Sequence, residues 1–103
     1  FNDKKVLKQD TYNFLWTTMT ETSTGSIKDN IPQSIKVAHK TGSAFFPNHF
    51  VTNDIGIMSL PDKQTVLYAI FIMDSKESKE TNYGIIADIA QIIYKNKNNL
   101  HHE

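Results

Sequence analysis

The stretch Thr65–Met73, TVLYAIFIM, is apolar on both of the faces that a strand would present. A strand resting on one layer alternates apolar with polar residues, whereas a strand covered on both faces does not. This run therefore predicts a central strand, rich in β-branched and aromatic residues, with packing on either side. The demand constrains everything around it, because whatever builds such a strand must also supply the layers that cover it.

The rest of the chain supplies few layers. Asp10 predicts a cap for a helix through Thr11–Thr20, with Tyr12, Leu15, Trp16 and Met19 on one face at spacings of three and four. Thr22–Pro32 is polar, holds Gly25 and reads as a loop. Ser34–Ser43 alternates, Ile35 and Val37 opposite Lys36 and Ala38, as a half-buried strand does. Asn53–Leu60 predicts a second strand, and Pro61-Asp62-Lys63 a tight turn into the apolar run. Asp74 and Glu77, spaced as a capping box, predict a helix from about Lys79 to Lys95. The expected fold is of the α/β (α+β) class: a three-stranded antiparallel meander flanked by helices. The strand bearing Lys40 lies at one edge, 53–60 beside it and 65–73 beyond.

The last helix repeats the demand of the apolar strand. Its polar positions, Gly84, Asp88, Gln91 and Lys95, make one narrow stripe, and Tyr83, Ile85, Ile86, Ile89, Ile92, Ile93 and Tyr94 fill the remaining circumference. A helix on a single sheet shows about half its surface to water. Three strands and one other helix cannot cover this one, so residues 1–103 are expected to form a single partial domain.

Composition removes several functional classes. The 11 basic side chains are all lysine and balance 11 acids, leaving no basic excess for a nucleic-acid partner. No apolar run approaches the roughly 20 residues of a membrane helix. Phe1-Asn2-Asp3-Lys4-Lys5 is polar and does not read as a signal peptide. With no cysteine there is no thiolate metal site, no disulfide and no cluster, and no cofactor is expected.

Chemistry gathers where the first strand ends, in Lys40-Thr41-Gly42-Ser43. Lysine and glycine are poor choices for a strand that only packs a core. At a strand edge they make a receptor for an acyl substrate bearing a carboxylate. Lys40 supplies the cation, Thr41 and Ser43 supply hydroxyl donors, and Gly42 leaves room for close approach. Free N–H and C=O groups of Ser43 would pair with a substrate amide, and the same N–H would help to hold an oxyanion. The bland alternative is a surface strand turning at Gly42 beside a solvated lysine, and a three-residue match does not decide between them.

The order of motifs along the whole chain does more. Leu15-Trp16 and Met19, Thr24-Gly25, Ile31-Pro32, Val37-Ala38, Lys40-Thr41-Gly42, Asn53-Asp54-Ile55, Leu60-Pro61, the apolar strand and the closing helix follow one another. From about Val6 to Tyr94 this resembles the C-terminal part of a class A serine β-lactamase. His39 and Asp74-Ser75 resemble the extended-spectrum branch of that class. The resemblance implies the β-lactamase/transpeptidase-like fold, a β-lactam substrate bound at Lys40, Thr41, Gly42 and Ser43, and a periplasmic or secreted location. That family pairs Lys-Thr-Gly with Ser-x-x-Lys and Ser-Asp-Asn. Neither is present, nor is the loop whose glutamate positions water. The chain alone is therefore expected to be inactive and, with its apolar edge uncovered, to self-associate.

Further expectations follow. The family often sets an arginine near the substrate carboxylate; without one, Lys40 serves alone or with Lys28 or His49. Ala44–Val51 reads as a long connection, with His49 at its tip beside Phe46 and Phe50. His39 reads as a packing or hydrogen-bonding residue, Trp16 as core, and Asp54 as the carboxylate that fixes the loop before the second strand. Glu77, Lys79 and Glu80 read as a solvated first helical turn, and His101-His102-Glu103 as a frayed tail. A transpeptidase or carboxypeptidase segment, and a non-catalytic domain that keeps only the fold, remain as competing readings.

Overall fold

A computed structural model of the protein describes residue 1, residues 4–47 and residues 49–102, with residues 98–102 described as backbone only. The elements run α1 (Gln9–Thr20), β1 (Lys36–Phe46), β2 (His49–Ser59), β3 (Thr65–Ser75) and α2 (Lys79–His102). The strands form one antiparallel sheet in the order β1-β2-β3. The expected meander and its helices are observed.

Register divides the sheet into two faces. Val37, His39, Thr41 and Ser43 lie across from Met58, Gly56, Asp54 and Thr52, which lie across from Val66, Tyr68, Ile70 and Ile72. This face carries α2. The core between them joins Val37, Met58, Tyr68 and Ile70 to Ile86 and Ala90 of α2. Ile27, Ile31 and Ile35 of the long loop close the same cluster from the side, and Asn30 reaches Asp88 on α2 at 3.0 Å. The opposite face carries Lys40 and Gly42. There α1 lies against β1, and Ala38 and Ile57 are buried. Hence Val37, Ala38 and His39 are all buried, where the sequence pattern predicted alternation.

Several boundaries differ from the sequence expectation. Residues 44–51 are not a long connection: β1 runs to Phe46 and β2 begins at His49. Strong β-formers carry the hairpin outward, and the cross-strand pair Phe45–Phe50 closes it with ring centroids 4.8 Å apart. Asp10 is not the cap of α1, which begins two residues earlier than expected with Lys8 at the N-cap and no side-chain bond there; Asp10 stands in the first turn. Asp74-Glu77 is not the capping box of α2. Ser78 caps it instead, accepting the Thr81 backbone N–H at 3.1 Å and donating to the Thr81 hydroxyl at 2.9 Å. Asp74 has a left-handed φ of 56° and sits where the β2–β3 register slips between Phe50 and Thr52, so it is a bulge residue. The Pro61-Asp62-Lys63 turn is as expected, with Lys63 N–H on Leu60 O.

β3 ends the sheet, as the expected order of strands has it, but it is not covered on both faces as its apolar run predicted: Leu67, Phe71 and Met73 are 67%, 61% and 72% exposed. The α2 helix is covered by the sheet and by the long loop, while Ile85 and Ile92 remain exposed on a third side. It also continues past Lys95 to His102; the side chains of His101 and His102, and all of Glu103, lie outside the described residues. Among the described residues no helix is long and apolar enough to cross a membrane.

Candidate active-site strand

The residues singled out in the sequence occupy the outer half of β1, the free edge of the sheet. Lys40 is exposed and its ammonium donates to the Thr41 carbonyl. Thr41 faces the other way, half-buried, and its hydroxyl donates to the hydroxyl of Thr24 at 3.1 Å. Thr24 is in turn 3.1 Å from the Thr22 hydroxyl. Ser43 is exposed and pairs in register with Thr52. Gly42 lies across from Asn53, and a Cβ on Gly42 would stand 2.8 Å from the Asn53 Oδ1 atom. The missing side chain thus admits a neighbouring amide over the strand, a role that Lys-Thr-Gly alone did not reveal.

Beneath this strand is a buried polar cluster. His39 and Asp54 are 2% and 1% exposed. His39 Nδ1 lies 3.0 Å from one Asp54 carboxylate oxygen and 3.2 Å from the other, and the Tyr68 hydroxyl donates to Asp54 at 2.9 Å. His39 is the hydrogen-bonding residue expected. Asp54 is not, as expected, the anchor of a loop: it lies inside β2 and ties three strands together. Burial, then the Asp54 charge and hydrogen bond, push the Tyr68 phenol far above its ordinary range. Gly56, in register with both His39 and Tyr68, makes the cluster possible. A Cβ there would meet the Ala38 carbonyl and stand 2.8 Å from the Tyr68 hydroxyl.

The Thr22–Asp29 loop lies against this assembly. Gly25 takes a φ of 75°, open to glycine at little cost. An added Cβ would sit 2.7 Å from Thr41 Cγ2 and 3.4 Å from Asp54 Oδ2. A cleft of about 200 Å³ beside it is lined by Thr22, Ser23, Thr24, Gly25, Lys28 and His39, among others. Lys28 therefore stands on the Thr41 side, though its ammonium is held by the Thr20 carbonyl at 2.6 Å. His49 is elsewhere. It stacks on Phe46 and lies 3.7 Å from Asp74, about 20 Å along the hairpin from Lys40 at 3.3 Å per residue. Of the two helpers expected for Lys40, His49 is remote along the hairpin, and Lys28 belongs to the loop cleft with its ammonium on Thr20.

An edge strand that carries a lysine, two hydroxyls and a glycine beside a polar loop is a candidate binding edge, and comparison with known proteins fixes the family. Residues 2–96 match the model described as the β-lactamase enzyme family. The chain belongs to that family, as a segment of the class A type. β-Lactamase VEB-1 of Pseudomonas aeruginosa is 40% identical over 97 residues, covering 90% of this chain and 32% of the relative. The extended-spectrum β-lactamase PER-1 of Pseudomonas aeruginosa is 41% identical over 99 residues, covering 92% and 32%. A crystal structure of a class A β-lactamase from Bacteroides cellulosilyticus superposes with a TM-score of 0.84 at 38% identity, over 94% of this chain and 37% of that one. The chain thus spans about a third of the length of the curated relatives it matches.

Proposed function

We propose that residues 1–103 are one part of the catalytic domain of a periplasmic or secreted serine β-lactamase, and that this part carries its substrate-binding strand. The serine of the whole enzyme attacks the lactam carbonyl, the C–N bond breaks to give an acyl-serine, and water releases the acid. Lys40 attracts the substrate carboxylate, and Thr41 and Ser43 offer it hydroxyls. In an antiparallel ladder every second residue turns its N–H and C=O away from the neighbour. On this reading Ser43 is one of those residues in β1, pairing with the substrate amide and lending its N–H to the oxyanion.

The supporting observation is the Thr41–Thr24 hydroxyl pair beside Lys40 on the free edge of the sheet, in a chain of this family. The segment holds no Ser-x-x-Lys, so by itself it hydrolyses nothing and forms no acyl adduct. In the full-length enzyme Lys40→Ala lowers kcat/KM for carboxylated lactams by about tenfold or more, the scale of a lost charge-assisted contact. Steady-state kinetics checks this, and an unchanged value removes Lys40 from the site.

A further inference from the structure

The His39–Asp54–Tyr68 cluster has no part in the chemistry just described, yet it is placed directly under it. Each residue comes from a different strand. Asp54 is the register partner of Thr41, and the same glycine, Gly25, packs against both the Thr41 methyl and the Asp54 carboxylate. The preceding residue of that loop, Thr24, accepts the Thr41 hydroxyl. A buried carboxylate is costly unless every donor reaches it, and apolar packing would stabilise the sheet as well or better. What the cluster adds is geometry: its bonds form only when β1, β2 and β3 stand at one particular offset, and that offset sets Thr41 and Asp54 beside Gly25 of the loop.

From this we infer that Asp54, clamped by His39 and Tyr68, is a positioning residue for the substrate strand. It fixes Thr41 against Thr24, so that two hydroxyls stand together where the substrate carboxylate is received. Asp54 touches no substrate; it acts through Thr41 and Gly25. The inference rests on the substrate-binding reading of Lys40 and Thr41 given above. A displacement of about 1 Å is enough to matter at such a site.

The test compares a lactam bearing a free carboxylate with its methyl ester, in the full-length enzyme. Tyr68→Phe and Asp54→Asn should raise KM for the acid about tenfold, change kcat little, and leave the ester within about twofold. Lys40→Ala should also erode the preference for the acid. Equal losses on acid and ester in the Tyr68 and Asp54 variants, with Lys40→Ala behaving as expected, would make the cluster purely structural and overturn the inference alone. An intact acid preference in Lys40→Ala would overturn the substrate-binding reading, and the inference with it. If Asp54→Asn does not fold, Tyr68→Phe decides, since it keeps the ring and removes one donor.

Discussion

Tyr68 donates its hydroxyl proton to a carboxylate already held by His39, in a pocket that excludes water. Burial disfavours the ionised phenol most, and ionising it would also set a second negative charge against Asp54, so its pKa is raised from 10. The folded-state value is above the unfolded one. The stabilisation is therefore complete below about pH 10 and is lost as the pH climbs towards the folded-state value. Thermal denaturation of the protein and of Tyr68→Phe across that range checks it. The wild-type melting temperature should fall more steeply above about pH 10 than that of the variant; parallel curves would show that the phenol does not control alkaline unfolding. The ingredients were visible in the sequence, since His39, Asp54 and Tyr68 are polar residues in apolar strands. Their union was not, because a strand pattern tells which face a residue occupies only after the register between strands is known.

At the scale of elements, the type of each helix and strand was legible and the ends were not. Caps are decided by which hydroxyl or carboxylate reaches an unpaired N–H, and Asp74 lost that place to Ser78 when the bulge turned it outward. Ser78→Ala should therefore cost about 1 kcal/mol, and Asp74→Ala should leave the helix start intact. Chemical denaturation of both variants measures the difference, and the reverse order would restore the carboxylate as cap. The hairpin through 44–51 left a usable signal: Phe45-Phe46 and Phe50-Val51 are strand formers on either side of Pro47-Asn48. So short a gap, three residues between Phe46 and Phe50, favours a tight turn over a loop.

The whole molecule has one surface that its size cannot account for. Leu67, Phe71 and Met73 share a face with the exposed Ile55, beside an edge strand with an unpaired side. Such edges recruit further strands, and patches of this kind mark contact surfaces. We propose that the isolated chain self-associates through β3. Sedimentation at micromolar concentration should show a dimer or larger species, and Leu67→Lys with Phe71→Lys should return it to monomer without loss of fold. A monomeric parent chain, or association unmoved by both lysines, would place the contact elsewhere or remove it.

The family, the order of elements and the place of Lys40-Thr41-Gly42-Ser43 on the first strand were legible in the residues alone, because hydrophobic period and short polar signatures are local properties of the chain. It also registered, in the apolar run of β3 and the wide apolar girth of α2, that these elements call for more cover than the chain brings. Folding in three dimensions was needed to set Asp54 against His39 and Tyr68, Asn53 over Gly42, and Thr24 of the loop against Thr41. Those facts depend on register, on a bulge and on the docking of a loop. Each is set by contacts between residues far apart in sequence, and no local pattern encodes them.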